Sequence, residues 1–474
     1  MNKKIGAGIA AAVVLVTGVL GTSYYMGGKL QQDFTNAAAQ WSRDDLKIQI
    51  TSYERGAFSS AAKTVWTLDQ DGDPVQFTAE HKISHGPLPM GHAAQINTLF
   101  HLPDDADPGL KAALNGRAPV QLLTKVGWGH STSNLMTSPP VKARVNDSDM
   151  DWGGMTIQWD MPSDMKAIKG TASIPALQFK DEEGSMSLEK ACMRFDVLQP
   201  KGQQFWIGPM NMAIDKVTTT HAEPDSLPSS IQGLSLDSDT VLKTDTLEMT
   251  LKGGIKSAQM QGKTADDLVW DLSLRNIDAA WLNHVMELSQ KKSPDQEQTD
   301  SEDDGSDDAE SPNPGGIDLR QAMLKTISQA LARKPEIEIK RLAMRTPEGV
   351  SEFAATLQYL GDGENLNKLP TDLKLTLKTS LPKPVMESMI TARKRNQLIE
   401  ALDEEDNDYS MEDFERTAKI QAAADIQMLQ KSGIFEDKSG LMSTQIVYEA
   451  GMFQVNGKPL DGEGTAMLFG TLTD

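Results

Sequence analysis

A chain of 474 residues, 39% hydrophobic and 24% charged, has the composition of globular material, and its length suits two or three domains or one long β structure. The formal net charge of −21 repels phosphate backbones and anionic lipid headgroups, so nucleic acid is not expected as a partner. The only cysteine, Cys192, excludes an intrachain disulfide; between Ala191 and Met193 in a strand-like run, it is expected to serve packing rather than chemistry.

No charge occurs between Lys4 and Lys29. The 24 residues between them would form a helix of roughly 36 Å, enough for a hydrocarbon core of about 30 Å. Lys3 and Lys4 put the first residues in the cytoplasm, and Tyr24 and Tyr25 suit the headgroup level. Residues 1–28 are therefore expected to be a cytoplasmic tip and a transmembrane signal-anchor, touching the membrane through residues 5–26. A cleaved signal peptide competes, since Val19-Leu20-Gly21 offers small residues, but the run is longer than an ordinary signal core and ends in Tyr24-Tyr25-Met26. No cysteine follows it, so no lipoprotein attachment site exists. Small residues four apart, such as Gly6 and Ala10, would permit close helix pairing.

Beyond an amphipathic stretch from Leu30 to Arg43, the hydrophobic period becomes two. Val75, Phe77, Ala79, His81 and Ile83 alternate with polar residues, and Asp71-Gly72 separates them from Thr64–Leu68 as a hairpin signal. The alternation recurs at Ile96–Leu102, Val120–Val126, Met155–Met161, Ala191–Val197, Leu247–Leu251 and Leu268–Leu274. Such strands joined by Gly, Asp and Pro turns predict a large antiparallel sheet built by meandering. Asp278 is placed to cap a helix carrying Trp281, Leu282, Val285 and Leu288.

Residues 293–316 hold nine acidic side chains and no basic one, the composition of a disordered linker. Asp318 opens a second helix with Leu319, Ala322, Met323, Ile327, Ala330 and Leu331 at helical spacing. Strands return around Ile337–Ile339, Phe353–Tyr359 and Leu373–Leu377, with Thr346-Pro347-Glu348-Gly349 as a turn. Pro384 suits the first turn of a helix running past Arg393-Lys394-Arg395 to the acidic Asp403–Asp408 stretch. Ser410 and Asp413 form a capping-box pattern for a helix with Met411, Phe414, Ala418, Ala422, Ile426 and Leu429, stopping at Gly433. Strands around Ile446–Tyr448 and Met452–Val455 close the chain.

Tyr53-Glu54-Arg55-Gly56-Ala57-Phe58, Ile83-Ser84-His85-Gly86-Pro87-Leu88-Pro89, Asn276–Leu282 and the ending Ile446-Val447-Tyr448 with Val455-Asn456-Gly457-Lys458-Pro459 resemble the YdgA-like bacterial proteins. The resemblance spans most of the chain, and the acidic insert at 293–316 has no counterpart in it. It implies a Gram-negative inner-membrane protein with a periplasmic body. The family is described as of unknown function, so the resemblance carries over no catalytic residue.

The chemistry-bearing patterns weigh against an assembled site. His81 and His85 are four apart, but in a strand that separation is about 13 Å, too far for one ion; His92 and His101 lack recognised ligand spacing. Ser257–Thr264 has Ser where a phosphate loop needs its first Gly, and a strand rather than a helix follows. Ser60-Ala61-Ala62-Lys63 has the Ser-x-x-Lys pattern, but Lys263-Thr264-Ala265 lacks the companion's final Gly. Asp300, Glu302 and Asp304 before Gly305 imitate a calcium loop whose twelfth position, Ser311, is not Glu. No catalytic, cofactor-binding or metal-ligating residue is assigned from sequence.

The expected architecture is thus β-rich α+β: one transmembrane helix, then a large extended, curved antiparallel sheet with several amphipathic helices. Its expected parts are a β-rich region at 29–292, the acidic linker, and a second α+β region at 317–474 completing the same body. The leading functional expectation is a non-enzymatic envelope interaction or scaffold protein at the inner membrane, with an envelope protein or a second copy as partner. Lipid or other apolar-ligand handling in a groove of the sheet comes second, and an envelope hydrolase third. The choice turns on the inward candidates Phe77, Ile157, Trp159, Phe195, Leu247, Met249, Leu251 and Trp270. Alternating apolar positions are buried by default, so a closed core is the expectation.

Overall fold

The computed structural model describes residue 42 and residues 46–55, 59–70, 73–85, 92–222, 226–260, 262–290, 326–400 and 410–460. The expected span at 5–26, the linker at 293–316 with its calcium-loop imitation, and Asp403–Asp408 lie outside them. Among the described residues no helix is long and apolar enough to cross a membrane. The chain divides into two units, Met1–Lys201 with Trp206–Leu236 and Ala258–Lys263 in the first, and Gly202–Phe205 with Asp237–Ser257 and Thr264–Asp474 in the second.

In the first unit β1 (Leu46–Arg55), β2 (Ser59–Gln70), β3 (Asp73–His85), β4 (Ala94–His101), β5 (Val120–Val126) and β6 (Thr132–Ser138) pair in order, each antiparallel to the next. The β2–β3 register pairs Gln70 with Asp73, leaving Asp71-Gly72 as the two-residue connection. A short helix, α1 (Pro108–Leu114), links β4 to β5, with Asp107 accepting from the Gly109 and Leu110 amides at its N-terminus. The β7 (Val141–Val145)–β8 (Ser148–Trp152) hairpin is inserted before β9 (Met155–Met161), which pairs with β6.

The next strand, β10 (Ala167–Lys180), pairs with β9 through Lys169–Ser173 and with β8 through Leu177–Lys180. Gly153 and Gly154 make that change of partner. The Gly153 amide donates to Ala176 at 2.9 Å, a Cβ there would stand 2.9 Å from the Ala176 backbone, and Gly154 takes φ +89°. Strands β11 (Gly184–Leu198) and β12 (Gly208–His221) extend the ladder. Where Pro175 faces Lys190 the β10–β11 pairing skips, because Pro has no amide to donate.

The core of this unit lies over β1–β9. Trp66, Leu46, Leu122, Met136 and Trp159 are among its buried members, and Trp66, Phe77 and Phe100 contact one another with ring centroids 5.8 to 6.1 Å apart. By contrast, no residue of β11 or β12 is fully buried.

In the second unit β15 (Lys263–Asp278, from Thr264 on), β16 (Glu336–Thr346), β17 (Gly349–Tyr359), β18 (Leu373–Pro382) and β20 (Leu441–Glu449) pair antiparallel in that order. The short strand β19 (Glu436–Lys438) and β21 (Met452–Val455) pair with β20, and β22 (Lys458–Pro459) with β21. Strands β13 (Ser229–Lys243) and β14 (Thr246–Met260) are divided between the units. Helix α2 (Ala279–Gln290) follows β15, and residues 326–332 are helical. Helices α3 (Lys383–Glu400) and α4 (Met411–Lys431) pack as a pair, joined by the Lys394–Asp425 ion pair at 3.1 Å. Ala418, Ala422, Ile426 and Leu429 form the buried stripe of α4, and the Ser410–Asp413 capping box is formed. Ile426, Leu429 and Met386 close the core with Met442, Ile446 and Val455.

The β-rich antiparallel architecture matches the expectation, but several details differ from it. Periodicity gave no indication of β10, β12 or β13, whose small residues, Gly and Pro blur the alternation, nor of α1, only seven residues long. Cys192 is exposed rather than packed, because it shares a face with the exposed Arg194 and Asp196. Of the inward candidates, Ile157, Trp159 and Leu247 are buried, while Phe77, Phe195, Leu251 and Trp270 are half-buried and Met249 is exposed. The expected closed core therefore holds for β1–β9 but not for β10–β12, none of whose residues is fully buried.

Candidate functional site

The most buried ionisable group is His81, on β3. Its Nε2 lies 2.9 Å from Thr64 Oγ1 and its Nδ1 3.0 Å from Thr98 Oγ1, while Trp66 Nε1 donates to Thr64 Oγ1 at 2.8 Å. Burial pushes its pKa down to about 4, so the ring stays neutral and serves as a hydrogen-bonding post between strands. A second polar row follows: Thr124 donates to Asn134 Oδ1 at 2.9 Å, and Asn134 Nδ2 donates to Thr132 Oγ1 at 3.1 Å. These groups satisfy each other inside the core and offer a substrate no access.

The remaining sequence candidates are scattered. Ser60 is buried, whereas Lys63 is exposed and holds Glu80 at 2.8 Å, so Ser60 and Lys63 form no nucleophile–base pair. His101 stands 3.7 Å from Glu80 at the surface, apart from buried His81. Ser257 to Met260 end β14 and Lys263 opens β15, so the phosphate-loop imitation is a β-hairpin. Among the described residues no three of His, Cys, Asp and Glu gather closely enough to hold a metal ion.

Charges in the second unit neutralise each other. A cleft of about 430 Å³ is lined by Asp267, Arg341, Arg345 and Glu352, yet Arg345 holds Asp267 at 3.1 Å and Arg341 holds Glu352 at 2.6 Å. The Asn276–Leu282 motif is structural too. Asp278 caps α2 by accepting from the Trp281 amide at 2.7 Å and receives Arg333 Nε at 2.9 Å, while Arg333 also donates to Asp245.

What the fold does assemble is an apolar strip. Cross-strand partners share a face, so Ile168, Gly170, Ala172 and Ile174 of β10 align with Val197, Phe195, Met193 and Ala191 of β11. Phe195, Met193 and Ala191 align in turn with Met210, Met212 and Ile214 of β12. A Cβ at Gly170 would come within 2.8 Å of both Phe195 Cζ and Trp159 Cβ, so this glycine lets Phe195 settle beside the core. Exposure grows outward, from 2% at Trp159 through half-buried Phe195 to 40% at Met210. Alternation indicated the β11 part of this strip; Gly170, Met210 and Met212 carried no signal of their own.

The strip and the mutually satisfied polar groups describe an antiparallel-sheet protein with an open apolar face. The family model described as bacterial protein of unknown function (DUF945) matches residues 1–463, and the chain belongs to that family. No curated protein matches the chain.

Proposed function

We propose that this chain is a non-enzymatic, membrane-tethered envelope protein that holds an elongated apolar ligand, of the lipid acyl-chain kind, along the β10–β12 face. One observation carries the reading: Met193 and Met212 stay only half-buried, although the strip they belong to is continuous with the core. Contiguous exposed apolar surface marks binding sites, and methionine adapts its shape to flexible chains. The scaffold alternative drew its support from a closed face, and the hydrolase alternative needs ionisable groups converging on a cleft. The envelope address rests on Lys3-Lys4 before the apolar run and on the YdgA-like resemblance.

Native mass spectrometry of the full chain, extracted in mild detergent, tests the ligand. Stoichiometric lipid or fatty-acid adducts are expected on the wild type and should be lost in Met212→Asp at unchanged melting temperature. Absence of adducts on the wild type, or their retention in the variant, would overturn the reading.

A further inference from the structure

The turns of the first unit fall at two opposite ends of its ladder. The pairs His85–Ala94, Ala94–Val126, Val126–Thr132, Thr132–Met161 and Ala167–Leu198 define one end. At the other end lie the β2–β3 and β10–β11 turns, the connection from β4 to β5 and the tip of the β7–β8 hairpin. Acidic residues outnumber basic ones at this second end: Asp104 and Asp105 before α1, Asp147 at the hairpin tip and the run Asp181–Glu183 stand against Lys111, Arg117, Arg144 and Lys180.

The first end has a different chemistry. Trp128 projects from the β5–β6 turn at 58% exposure, flanked by Gly127 and Gly129, and a Cβ at Gly129 would meet nothing within 4 Å. Leu198 and Trp206 are also exposed there, at 46% and 40%. Lys125, Lys166 and Lys201 lie at this end without an ion pair among the described residues, accompanied by Asp160 and Asp164; Lys169 is held by Asp196 at 2.6 Å. A cleft of about 540 Å³ opens between the turns, lined by His92, Lys125, Ser131, Ser133, Asp160 and Lys169. The last residues of β1 and β3, Arg55 and His85, also lie at this end.

We propose that the Trp128 end of the first unit docks on a phospholipid bilayer carrying anionic headgroups. Trp128 enters the headgroup level, where an amphipathic ring is favoured, and Lys125, Lys166 and Lys201 face the phosphates. Charge complementarity selects this end. A chain of net charge −21 is repelled by an anionic surface, most strongly through its acidic end, and the lysine-bearing end approaches at the least cost. The inference is independent of what the apolar strip carries, which co-purifying ligand tests separately.

The test uses the full chain in proteoliposomes whose acyl chains are brominated, so that lipid contact quenches tryptophan emission. Vesicles of phosphatidylcholine alone are compared with vesicles containing phosphatidylglycerol. Quenching should be greater with phosphatidylglycerol, and Trp128→Phe should remove most of the phosphatidylglycerol-dependent part of it. The triple variant Lys125→Gln/Lys166→Gln/Lys201→Gln should lose the dependence on phosphatidylglycerol while retaining the wild-type circular dichroism. Quenching that is identical in Trp128→Phe, or indifferent to phosphatidylglycerol in the wild type, would overturn the proposal.

Discussion

His81 ties the stability of the first unit to pH. Its folded pKa of about 4 lies below the ordinary 6.5, so the unfolded chain binds its proton first. The contribution of a neutral His81 is fully present above pH 6.5 and is lost as pH falls towards 4. At ~1.4 kcal/mol per pKa unit, that difference amounts to about 3 kcal/mol. His81→Gln keeps hydrogen-bonding groups between Thr64 and Thr98 but cannot titrate. Urea unfolding of the variant should therefore lose less stability between pH 7 and pH 5 than the wild type; parallel losses would show that His81 does not set the slope. Cys192 is the converse case, a residue whose exposed position leaves it little to hold. Cys192→Ser is expected to change stability by no more than ~0.5 kcal/mol, and a native-state thiol reagent should label it completely.

At the scale of elements, helix starts separate by how much else depends on the cap. Ser410 caps α4 at the surface, and Ser410→Ala should cost about 1 kcal/mol, the usual worth of an N-cap. Asp278 caps α2 while it is nearly buried and paired with Arg333. Asp278→Ala removes the cap and leaves the Arg333 guanidinium with only Asp245, so a larger loss of about 3 kcal/mol is expected. Denaturant midpoints at constant m-value measure both. Equal losses would show that the Arg333 clamp contributes nothing beyond the cap. The acidic and basic residues along β15–β17 act similarly: Arg275 reaches Glu336 at 2.6 Å and Glu338 at 2.8 Å, holding neighbouring strands in register.

For the whole molecule, the expected address and the proposed activity rest on different parts of the chain. The uncharged run after Lys4 motivates a single crossing with the body outside the cytoplasm. A reporter fused after Asp474 should then be active only outside the cytoplasm, and the mature chain should begin at or near Met1. A mature N-terminus at Thr22 would remove the anchor while leaving export intact. The activity is expected to reside in the sheet. Within the first unit, the ladder carries its apolar face past the region that β1–β9 can bury, and the surplus stays partly open, the surface on which the proposed ligand would lie. Acidic residues meanwhile outnumber basic ones at one end of that ladder, while Trp128 stands among lysines and fewer carboxylates at the other.

The sequence by itself determined the β-rich antiparallel class, the β2–β3 hairpin, the Thr346–Gly349 turn, the starts of α2 and α4, and the absence of an intrachain disulfide. These are local matters: a period of two or 3.6, a cap, or a turn residue acts within a few positions. It did not determine β10, where Gly170 and Pro175 interrupt the pattern, or the side on which Cys192 lies. Only the tertiary structure decided how far burial extends. The same alternation places Ile157 and Trp159 inside and leaves Met193 and Met212 half-open, because burial depends on what packs across the face and not on the strand itself. The Trp128 end was illegible for a related reason: Lys125, Lys166 and Trp206 come to the same end of the ladder only through registers that bring distant turns to one edge.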